Sequence, residues 1–356
     1  MMQAIALLII SVMISLPLAA QDSSKTTGDG KTVDKSTGKP STLKLYDVPS
    51  PLEAGDRSPE EVADYVAITK AADAKAQVEL IEAFIKKYPK SQYVPSLHQV
   101  AVSDYQLIGE PIKLIEHGEK VLEIAPQNPP ILAILAVTYA ARGDSEKAIE
   151  RGTKAVAILD KVEPAPKADP EQFTHQKNRL LSIAYAGLGT AYLDRFEKAR
   201  VVELASQSKP EAKPATSETS APSPPQNPAS GKEAPVPSGA STEKPSAPSG
   251  TPDPLDLSKA KGYFARALEL DAGYEFAQFQ MGVAYAQEKQ VAQSLESFAK
   301  VMAMQGALSN PAKQNFERIY KLTHNNSLAG SEELLEKAKA AWAEQKPAPK
   351  PPKPAE

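Results

Sequence analysis

The chain has 356 residues, 41% of them hydrophobic, which is enough to bury a substantial core; its 32 prolines are too many for one compact domain and predict long unpacked stretches. A formal net charge of −3 argues against the clustered basic face that nucleic-acid binding needs. With no cysteine, the chain has no disulfide framework, thiolate nucleophile, Cys-ligated zinc or lipid-modified Cys.

The N-terminus runs apolar from Ala4 to Leu16, breaks at Pro17 and reaches the small pair Ala19 and Ala20 before Gln21. We read residues 1–20 as a secretory signal peptide, with an uncleaved membrane anchor as the alternative because no Lys or Arg precedes the apolar run. Localisation is therefore expected to be exported, periplasmic or secreted. Residues 21–57 are rich in Ser, Thr, Gly, Lys and Asp, a composition that cannot offset the entropy of ordering, and are expected to be disordered.

Ser58-Pro59-Glu60-Glu61 then forms a capping box, with proline at the first helical position. From there to about Glu344 the apolar spacing is helical, without a useful period-2 run, so the fold class is all-α. The segment beginning at Pro111 lies 34 residues before a matching segment beginning at Ser145. In that register Ile115 aligns with Ile149, Gly118 with Gly152, Lys120 with Lys154, and the preceding Tyr105 with Tyr139. Another copy, Phe276 to Met304, carries Met281, Gly282, Tyr285, Ser294 and Phe298.

These residues and the 34-residue helix-turn-helix period resemble the tetratricopeptide repeat family. The copy at 276–304 departs from the family pattern in having Gln278 for its usual Trp and Gly306 for its terminal Pro. The resemblance implies a right-handed α-solenoid with a peptide-binding groove lined by first helices. Carried onto this chain, the groove candidates are Gln99, Ser103, Gln106, Val137, Phe276, Phe279, Val283 and Ala286. The Lys, Asn and Arg that such grooves use to hold terminal carboxylates are missing from these positions, so an apolar segment or helix is the expected occupant. Filling by the chain's own long helix is the alternative. The junction Tyr88-Pro89-Lys90-Ser91 is similar to that of repeat proteins in bacterial envelope assembly, including outer-membrane assembly lipoproteins.

Ala184 to Phe196 reads as the first half of such a repeat, with Gly189 matching Gly282. Its second helix is absent at the usual spacing. Ser294 follows Gly282 by 12 residues, whereas the first equivalent after Gly189, Ala260, follows by 71, an excess of 59. The expected partner is Leu257 to Leu270, with Ala260, Phe264 and Ala267 facing the first helix across a Pro/Ser/Ala-rich disordered insert at 207–254. Two independent domains on a linker are the alternative. Lengthening the turn this far costs only roughly 2–3 kcal/mol, because loop-closure entropy grows logarithmically. The helix carrying Gly189 is expected to run from 170 to about 206.

The remaining assignments are repeats and the long helix over 58–206, the split half and a complete repeat over 255–306, a helical cap over 307–345 and a basic Pro-rich tail over 346–356. The tail is read as solvated, with contact to cell wall or a membrane surface as the alternative. Gly28-Asp29-Gly30-Lys31-Thr32 lacks the remaining glycine and flanking elements of a phosphate loop, and no GxSxG elbow or HExxH pair occurs. No catalytic residue, cofactor or metal is assigned. His98, His117, His175 and His324 are read as structural or exposed. The functional expectation is a non-enzymatic scaffold with a protein or peptide partner, or alternatively a spacer tethered to wall or membrane.

Overall fold

A computed structural model describes residues 58–164, 169–207 and 252–345. The expectations for the leader at 1–20, the lead-in at 21–57, the tail at 346–356 and all but the edges of the insert lie outside the described residues. Among the described residues the protein is all-helical, with twelve helices and no strand. These are α1 (Pro59–Thr69), α2 (Ala74–Lys87), α3 (Val94–Ile108), α4 (Pro111–Ile124), α5 (Pro129–Ala141), α6 (Ser145–Leu159), α7 (Pro170–Gln207), α8 (Pro254–Leu270), α9 (Glu275–Gln287), α10 (Val291–Met304), α11 (Ser309–Thr323) and α12 (Ser331–Gln345). Gln207 and Pro254, the edges of the expected insert, are both helical, because Asp253 and Pro254 start α8 in the way Ser58 and Pro59 start α1.

Side-chain caps satisfy otherwise free N–H groups at the start of several of these helices. The Ser58 Oγ accepts from the Glu61 N–H at 3.1 Å, Asp73 from Ala76 at 2.9 Å, and Asp253 from Leu255 at 2.9 Å. The α3–α4 turn closes through Gly109 at φ 77°, a left-handed conformation that costs glycine nothing.

Successive helices pack as antiparallel pairs, α3 on α4, α5 on α6, α7 on α8 and α9 on α10. Small residues set how closely they approach. A Cβ built on Gly118 would lie 2.9 Å from Leu135, and one on Gly152 would lie 2.8 Å from Leu188. Gly118 and Gly152 are 34 residues apart, and Leu135 and Leu188 each stand four residues before a tyrosine, Tyr139 and Tyr192. The same contact thus recurs between one helix pair and the next. In the later pairs the glycine changes helix: Gly189 faces Phe264 and Gly282 faces Phe298, with the aromatic ring filling the volume that the glycine leaves.

Ala260, Phe264 and Ala267 are fully buried. Helix α7 binds the molecule together, since its Ala184 and Ala191 belong to the core built on α1 to α6, while its Leu193 belongs to the core running through α8 to α12. The Tyr263 ring stacks between Tyr185 and Tyr192, with centroids 6.0 and 5.6 Å away. At the C-terminal end, Glu275 is buried and its carboxylate accepts the Leu308 N–H at 2.8 Å, opening α11. Its oxygens occupy the space beside Gly306, which gives that glycine a packing reason. Among the described residues no helix is long and apolar enough to cross a membrane.

Candidate functional site

The eight groove candidates fall into two groups. On α3, Ser103 is exposed, while Gln99 and Gln106 are half-buried. The Gln99 Nε2 is buried without a hydrogen-bond partner. On α5 and α9, by contrast, Val137, Phe279 and Val283 are core residues at 3%, 2% and 5% exposure, and Phe276 and Ala286 are half-buried. The cause is that first helices pack on one another: Gly187 of α7 crosses the backbone of Ala136 and Val137, and Phe279 and Val283 share a core with Leu193.

Helix α7 also covers the end of α9 with polar groups. The Gln287 Nε2 donates to Glu197 Oε1 at 2.7 Å, and Arg200 donates to the Gln287 Oε1. Burial pushes the Glu197 carboxyl up to about 7; Gln287 and Arg200 oppose that shift, and Asp194 adds to it. The α3–α4 end carries the two most exposed large apolar side chains among the described residues, Leu107 at 61% and Ile112 at 63%, with Ile108 between them in sequence also exposed.

A second cluster was not expected from the spacing of the histidines. The structure brings His98 of α3 and His117 of α4 together with their Nδ1 atoms 2.9 Å apart. The His117 Nε2 lies 3.2 Å from Glu82 Oε1 on α2, and the same carboxylate oxygen accepts from the Tyr105 hydroxyl at 2.9 Å and lies 3.3 Å from Lys113 Nζ. His117 is 2% exposed. Burial, and then the neighbouring His117, hold the His98 imidazole down at about 4. The signal that would have found this pair is register. His98 stands seven residues before Tyr105, as Tyr185 stands seven before Tyr192; His117 stands 12 after Tyr105, and Tyr263 stands 12 after Tyr192 once the excess 59 is removed. The imidazole pair therefore occupies the place of the stacked tyrosines. His175 is exposed, and the His324 ring stacks on Tyr320 at 3.9 Å.

Among the described residues no three His, Cys, Asp or Glu side chains are placed to hold a metal ion. Comparison with protein-family models and with curated proteins finds no match to this chain.

Proposed function

We propose that the protein is a tetratricopeptide-like right-handed solenoid that acts as a non-enzymatic scaffold for protein–protein contacts in a bacterial-type cell envelope. The recurrence of one glycine-on-leucine contact between successive helix pairs, Gly118 on Leu135 and Gly152 on Leu188, supports the repeat half of this reading. The exposed apolar residues Leu107, Ile108 and Ile112, on the same hairpin as the exposed α3 position Ser103, carry the functional half. Large apolar side chains grouped at a surface mark contact sites more often than scattered ones do. The partner class is a protein or peptide with an apolar face, and the N-terminal leader composition supports export.

A spacer role is the second reading. It is favoured by α7, whose 38 residues make a rod about 57 Å long at 1.5 Å per residue.

A photo-crosslinking side chain at Ser103, in the full chain in its native envelope, should form a defined adduct, and Leu107→Glu should reduce its yield about tenfold while leaving the melting temperature within a few degrees. Both are exposed positions, so folding is preserved. An adduct unaffected by Leu107→Glu, or none at Ser103, removes the binding reading and leaves the spacer.

A further inference from the structure

We propose that Glu82, His117 and His98 form an acid-sensitive latch that ties α2 to the α3–α4 hairpin and releases when the imidazole pair takes up protons. The carboxylate of Glu82 accepts the His117 Nε2–H, which leaves the His117 Nδ1 lone pair directed at His98; the His98 Nδ1–H then donates into it across 2.9 Å. One proton fits between these two nitrogens. Protonating His98 at its other nitrogen keeps this geometry but places a cation in a half-buried site. Protonating His117 as well puts two N–H groups face to face, and the contact can no longer close.

The surroundings disfavour added positive charge on balance. From α4, Lys113 and Lys120 repel it, and Glu116 attracts it; from α2, Glu82 attracts it; from α3, Tyr105 is neutral. Burial is the largest cause and pushes His98 below the ordinary 6.5 to about 4. A histidine depressed in the folded state contributes stability that is complete above 6.5 and is lost as pH falls from there toward 4, because the opened form binds the proton more tightly. Asp104, also on α3 and buried, acts in the opposite direction: burial raises it to about 6, so its neutral form favours the folded state as pH falls. Acid therefore acts on this region through two opposed groups, and a variant at His98 separates them.

The test is hydrogen exchange on the full chain at pH 7 and 4.5, corrected for intrinsic rates, comparing α2–α4 with α5–α6 as internal reference. Because Asp104 opposes His98, wild type should show a net acceleration of roughly threefold confined to α2–α4 at the lower pH. His98→Asn should abolish it, because the asparagine amide sits where Nδ1 was and turns to donate to or accept from His117 in either protonation state. Equal acid opening in wild type and variant, or no local opening in wild type, overturns the proposal. Ring-proton titration of the wild type gives an independent reading that needs no variant. Titration of His98 well below 6.5 agrees with the latch, and titration of His98 near 6.5 contradicts it.

Discussion

Phe264→Ala should destabilise the protein by about 3–5 kcal/mol, the largest effect of any single truncation at the α7–α8 contact. Phe264 is fully buried, and its ring lies against Gly189, where an added Cβ would sit 2.5 Å from Cε1. The cost combines lost transfer energy with a cavity that glycine on the facing helix cannot help to fill. Because α8 is attached to α7 in sequence only through the segment 208–251, its position depends on this contact, on Ala260 and Ala267, and on the Tyr185–Tyr263–Tyr192 stack. Chemical denaturation followed by far-UV circular dichroism should show a lower midpoint. Loss of less than about 1 kcal/mol would mean that α8 is held elsewhere.

Gly187→Ala should cost about 2–3 kcal/mol, although it adds one methyl group. Its Cβ would lie 2.9 Å from the Ala136 carbonyl carbon and 2.9 Å from the Val137 nitrogen, and backbone atoms in a helix cannot rotate aside as a side chain does. The α5–α7 crossing must widen, which separates Ala133, Val137 and Ala140 from the long helix. Gly262→Ala provides the control, since nothing lies within 4 Å of a Cβ there and alanine is the better helix former. Thermal unfolding of the two variants should move in opposite directions. A Gly187→Ala protein as stable as wild type would show that these helices do not cross as described.

Much of this arrangement is written in apolar spacing. Gly189, Tyr185 and Tyr192 require a partner, and register points past the insert to Phe264, where α8 packs. The polar contacts are less legible because helical periodicity marks which face is apolar and leaves the polar residues between helices to be read as surface. His98 and His117 are of this kind: each looks like an isolated histidine until the hairpin is closed. The same applies to Glu275, whose carboxylate is buried beside Gly306 at the start of α11. Burial of Val137, Phe279 and Val283 escaped for a different reason. Whether a first-helix face is open depends on the angle between one hairpin and the next, and that angle is set by contacts such as Gly187 on Ala136, which residue spacing within one hairpin does not encode. The exposed Leu107 and Ile112, by contrast, carry an apolar signal that looks the same in sequence whether a partner covers it or not.

The central claim is that α7 and α8 form one packed unit although the segment between them is long. It is tested most directly by placing a specific protease site between Ser208 and Thr251, cleaving the folded protein and passing it over a sizing column without denaturant. Both halves should co-elute as one species with unchanged helical circular dichroism. Two separate species, each keeping its helix content, would contradict it.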